Sequence, residues 1–120
     1  MAFAFEKLVV YQKSVDFADQ ICVLTESFPR GYGFLSDQFN RASLSIAANI
    51  AEGNDRFTKS DCRNFFIISR GSIQECVPLM ELAFRRKLLA FQDHEKLKSM
   101  LEQISRMLGG LINHLENQEV

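Results

Sequence analysis

Four cations gather around the start of one predicted helix: Arg56, Lys59, Arg63 and Arg70. Lys59, Arg63 and Arg70 fall on one side of that helix at steps of four and seven, and fixed positive charges in such a row suit the phosphates of RNA or DNA. Asp55 and Asp61 lie among them, so the same row also fits an ordinary solvated helix face. Arg85, Arg86 and Lys87 form a second cluster, at a place where cations suit the negative end of a helix. Acid–base and metal chemistry have fewer candidates. His94 and His114 are the only histidines, and neither belongs to an HxxxH or ExxH pair that could grip a metal from one helix. Cys22, Cys62 and Cys76 are odd in number and far apart, which argues against a disulfide framework and against a zinc site of CxxC pairs. Reduced, buried thiols are the expectation. No glycine-rich loop follows a strand, so no phosphate loop of that kind is present. Neither a catalytic residue, a metal nor a cofactor is expected, and the chain reads as non-enzymatic.

A second set of polar residues lies on the preceding predicted helix. Gln38, Arg41, Ser45, Asn49 and Glu52 make a polar stripe beside an apolar one of Leu35, Phe39, Ala42, Ile46 and Ile50. In an antiparallel hairpin reversing near Asp55, Arg41 falls opposite the stretch from Arg70 to Glu75 and is placed to meet Glu75 and Ser72. Gln38, Arg41, Ser45, Asn49, Glu52, Ser72 and Glu75 are therefore read as a structural polar network that fixes the register of the two helices. Removing one partner of a buried ion pair costs about 3–5 kcal/mol, so loss of Glu75 is expected to destabilise the protein severely.

The elements that must hold these residues are helical throughout. From Leu8, one row of Leu8, Tyr11, Val15, Ala18, Cys22 and Thr25 and another of Phe3, Val10, Phe17 and Leu24 give helix 1 a broad apolar arc. Such an arc needs a neighbour on each side, one of which could belong to another subunit. Phe28-Pro29-Arg30-Gly31-Tyr32-Gly33 ends this helix. Helix 2 is expected from about Leu35 to Glu52, with Gly53 as a left-handed cap. Thr58 caps helix 3, with Asp61 in its first turn. Its inner face reads Cys62, Phe65, Phe66, Ser69, Ser72, Ile73, Cys76, Leu79, Met80 and Ala83, and it extends to Leu88 with a kink or loosening at Pro78. Asp93 is placed to cap helix 4, where Leu97, Leu101, Ile104, Leu108, Leu111 and Leu115 form a heptad-like seam. Gly109 and Gly110 either end that helix or mark a close backbone approach; the register favours continuity.

With 120 residues, 47% of them hydrophobic and 24% charged, the chain is long enough to bury a core without staples and is neither disordered nor membrane-spanning in composition. A single domain over residues 1–120 is expected. Four helices joined by short turns predict an all-α, antiparallel up-down-up-down four-helix bundle. The first residues lack the pattern of a signal peptide, and the protein is expected in the cytoplasm, with no membrane partner. A net charge of -1 means that any nucleic-acid site must be a local patch.

Several segments together resemble one family. Phe5-Glu6-Lys7-Leu8, Tyr11-Gln12-Lys13, Phe28-Pro29 with Tyr32-Gly33-Phe34, Gln38 to Ser43, the run Ser45-Ile46-Ala47-Ala48-Asn49-Ile50-Ala51-Glu52-Gly53, Asn54-Asp55-Arg56 and Arg70 to Glu75 are similar to the four-helix-bundle proteins encoded in intervening sequences of bacterial 23S rRNA genes. The likeness spans nearly the whole chain. Gly31, where many relatives carry an acidic residue, and Pro78 depart from the pattern. Relatives resemble homopentameric rings, and the accessory variability determinant of diversity-generating retroelements shares the fold, binds nucleic acid and associates with a reverse transcriptase. The resemblance thus implies a homo-oligomer, a nucleic-acid-binding or adaptor role, and RNA, DNA or a reverse transcriptase as partners. A protein–protein interaction scaffold without nucleic-acid binding is the alternative. Arg106 and His114 are only loosely similar to the arginine–histidine pair of small all-helical ribonucleases, because the seven residues between them exceed that motif's spacing.

Overall fold

The computed structural model describes residues 3–117. A short 3-10 turn, Ala4–Lys7, leads into α1 (Val9–Glu26), α2 (Gly33–Asn54), α3 (Lys59–Arg85) and α4 (Phe91–Asn117). Each helix packs on the next and α1 also touches α4, while the diagonal pairs do not pack among the described residues. This is the expected antiparallel up-down-up-down bundle. Packing is most extensive between α2 and α3 and least between α1 and α4. The molecule is elongated, 50 × 29 × 21 Å, as helices of this length side by side require.

The apolar stripes meet in one core. Phe39, Ile46 and Ile50 of α2 and Phe66, Ile73, Cys76 and Met80 of α3 pack with Leu97, Leu101, Ile104 and Leu108 of α4. In α1 the buried face is Val10, Ser14, Phe17, Ala18 and Ile21. The row expected through Val15 and Cys22 instead runs along the edge, where both are exposed. Ser14 is tolerated at the centre because its hydroxyl donates to the carbonyl of Val10 at 2.7 Å.

Several boundaries correct the sequence reading. Gly53 is no left-handed cap: α2 continues through Asn54, and only Gly31, at φ 101°, has a positive φ among the described glycines. Gly53 is buried, and a Cβ there would come within 2.9 Å of Phe65 Cβ, 3.0 Å of Phe66 Cε1 and 3.1 Å of the Cys62 carbonyl. The glycine is required by the approach of α3, and the backbone needs no special conformation there. At the far end α3 stops at Arg85 rather than Leu88. Lys87 adopts φ 63°, the Leu88 N–H reaches back to the Ala83 carbonyl at 2.9 Å, and the Lys87 N–H bonds Phe84 at 3.0 Å. This is the hydrogen-bond pattern of a left-handed C-terminal cap, with lysine where glycine is usual. Asp93 lies inside the first turn of α4, because the His94 N–H already bonds the Ala90 carbonyl. Thr58 caps α3 as expected, its hydroxyl accepting from the Asp61 N–H at 3.1 Å. Helix α3 continues through Pro78, which lies on its exposed side. Helix α4 is continuous across Gly109 and Gly110, and nothing lies within 4 Å of a Cβ built at either.

Candidate nucleic-acid interface

The turn between α2 and α3 forms one end of the α2–α3 hairpin. Asp55 and Arg56 close the end of α2 through bonds to the carbonyls of Glu52 and Gly53, and Thr58 opens α3. Arg56 is held twice: it donates to Glu52 Oε2 at 2.6 Å, and its guanidinium lies 4.5 Å from the centre of the Phe65 ring. Both partners of that ion pair are about half exposed, so the pair itself adds little stability. A shallow depression here is lined by Glu52, Asp55, Arg56, Phe57, Thr58 and Asp61, three carboxylates against one cation. Arg56 is thus set apart from the other three predicted cations, because a residue in the turn does not share the helical phase of α3.

Lys59, Arg63 and Arg70 do share a flank of α3, the one that turns toward α4. Arg63 donates to Glu116 on α4 at 3.3 Å and is one-third exposed, while its buried Nε has no hydrogen-bond partner among the described residues. Lys59 is exposed and Arg70 half-buried. From Lys59 to Arg70 the row covers about 16 Å at the helical rise. Glu116 was invisible to helical spacing, since it arrives from a distant turn of α4.

The polar network is smaller than expected. The Ser45 and Ser72 hydroxyls are 2.8 Å apart, and Asn49 Nδ2 donates to the Ser45 carbonyl at 2.8 Å and to its hydroxyl at 3.0 Å. Ser72 is opposite Ser45, one turn of α2 beyond Arg41. The buried Ser69 hydroxyl donates to the Ile46 carbonyl at 2.8 Å, a contact signalled in the sequence only by a serine on the core side of α3. Gln38, Arg41 and Glu75 are exposed, no ion pair joins Arg41 to Glu75, and Glu52 turns away to Arg56. Small hydroxyls fit the narrow seam between the helices, whereas long charged side chains gain more by reaching water.

The remaining groups offer little chemistry. Burial, aided by the neighbouring Glu75 charge, pushes the Cys76 thiol up to about 12, and burial also raises Cys62, so neither supplies a thiolate near neutral pH. His94 lies against Phe84 with ring centroids 5.0 Å apart and planes tilted by 40°, and its Nδ1 is 3.7 Å from Glu95 Oε1. Among the described residues no group of three or more His, Cys, Asp or Glu could hold a metal, and no helix is long and apolar enough to cross a membrane. The surface is more suggestive. Phe57 stands fully in water at 106% relative exposure; its signal was to be the lone apolar residue in a polar turn. Leu44 and Ile68 are 62% and 52% exposed on α2 and α3, and an apolar groove between α1 and α4 is lined by Leu8, Val9, Val10, Met107, Gly110 and Leu111.

Comparison with known proteins follows the fold. No curated protein matches the sequence. A crystal structure of a protein of unknown function from the S23 ribosomal protein family of Bacteroides thetaiotaomicron is similar, with a TM-score of 0.81 and 26% identity, over 87% of this chain and 98% of that one. Residues 6–110 match the model of the 23S rRNA-intervening sequence protein family, and to that family the chain belongs.

Proposed function

We propose that the protein is a non-enzymatic, self-associating helical module that binds nucleic acid along the flank of α3 marked by Lys59, Arg63 and Arg70. The observation that carries this reading is the alignment of three cations on one helix packed between α2 and α4, so that the charges are spaced by a rigid element. The family's rRNA-derived name and the ribosomal family of the similar structure point the same way. Glu116 holds Arg63 in readiness and competes with phosphate for it. Because the net charge is only -1, attraction has to be local, and repetition of the flank around a homopentameric ring in the cytoplasm would raise a weak contact by avidity.

Titration with labelled RNA and DNA at several salt concentrations tests the reading. Three phosphate contacts predict a log–log salt slope of about −2 to −3. Charge reversal of Lys59 and Arg63 abolishes binding, and Glu116→Gln, which releases Arg63, tightens it. No binding at low salt by a folded protein overturns the proposal. In that case the exposed Leu44 and Ile68 and the α1–α4 groove favour a protein-interaction scaffold. A solitary monomer in sedimentation removes the ring from either reading.

A further inference from the structure

We infer that Phe57 is a stacking platform for an unpaired base, so that the strand held on the α3 flank is single-stranded RNA or DNA; this rests on the nucleic-acid reading above. Among the exposed large hydrophobic residues, the others reach at most 64%, whereas Phe57 presents its whole ring to water. The ring is mounted on a short turn that is fixed at both ends. Arg56 is clamped before it by Glu52 and Phe65, and Thr58 is committed after it to capping α3. A ring so placed needs little ordering when a flat partner arrives.

Charge around the turn says which part of a nucleic acid meets the ring. Glu52, Asp55 and Asp61 line the depression beside Phe57 and outnumber Arg56, their one cation there, so phosphate is disfavoured while an uncharged base can approach. Lys59, two residues on, and Arg63 and Arg70 beyond it take the backbone instead, along the side of α3. Base on the ring and phosphates on the cations is the general arrangement by which single strands are held without sequence preference. A duplex cannot use the ring without first being unstacked.

The chain contains no tryptophan, so Phe57→Trp supplies a single reporter. The expected result is quenching of its fluorescence by oligodeoxythymidylate or oligouridylate, with little change on adding a duplex of equal length. Phe57→Ala, whose circular dichroism should match that of the parent, is expected to weaken single-strand binding by roughly 5- to 150-fold, the range for one stacked base, and to leave duplex binding unchanged. Equal single-strand affinity for Phe57→Ala and parent overturns the inference while leaving the cationic flank standing. Equal losses for single strand and duplex overturn it too. If instead Phe57→Ala alters only the sedimentation of the protein, the ring belongs to a protein contact and the inference is wrong. Should the parent protein bind no nucleic acid at low salt, the earlier reading fails first and takes this one with it.

Discussion

Gly53 in the α2–α3 seam and Gly109 with Gly110 beside the α1–α4 seam are the same residue in opposite circumstances. At Gly53 a single added carbon would collide with Phe65, Phe66 and the Cys62 carbonyl, whereas at Gly109 and Gly110 it would meet nothing within 4 Å. The first seam is extensive and closed by small side chains, Ser45 against Ser72 and Ser69 against the backbone of Ile46. The second is sparse, with an apolar groove left open between its helices. The difference teaches that a helical glycine has no fixed meaning: a neighbouring backbone makes it indispensable, and open space leaves only its conformational cost.

That contrast can be broken by substitution. Gly53→Ala should destabilise the protein by about 3 kcal/mol, at the upper end of overpacking costs, because its closest contacts include a Cβ and a backbone carbonyl. Urea denaturation measures this, and an unchanged midpoint would show that α3 shifts freely. The double change Gly109→Ala with Gly110→Ala should act in reverse, raising stability by up to about 2 kcal/mol through helix propensity alone. If the parent protein self-associates and this change lowers the mass of the complex, the open groove is occupied by another subunit. Glu75→Ala is expected to change stability by less than about 0.5 kcal/mol, since its exposed carboxylate has no ion-pair partner among the described residues, and a larger loss in thermal melting would restore an Arg41 interaction to the seam.

Much of this was legible in the residues. The apolar rows of α2 and α4, the inner face of α3 and the Thr58 cap follow from periodicity and local hydrogen bonding, which operate within one helix. Beyond the local ends of α3 and α4, what the spacing misses depends on a second helix. Gly53 occupies the place of a typical C-terminal cap, and only the position of Phe65 and Phe66 reveals its real constraint. Arg41 and Glu75 lie on facing helices as anticipated, yet helical spacing does not say whether a long side chain turns inward or to water. Arg56 is close to the α3 cations in sequence, yet the turn directs it to Glu52 and Phe65. Phe57 has no periodic signature, because an exposed aromatic in a turn belongs to no helical face.

The unequal seams also set the order in which the molecule would come apart. Amide protons in α1 lie on an element fastened firmly only to α2, so they should exchange with solvent through partial openings that leave the central hairpin intact. The slowest exchange belongs to the middle of α2 and α3, where release of a proton requires unfolding of the whole chain.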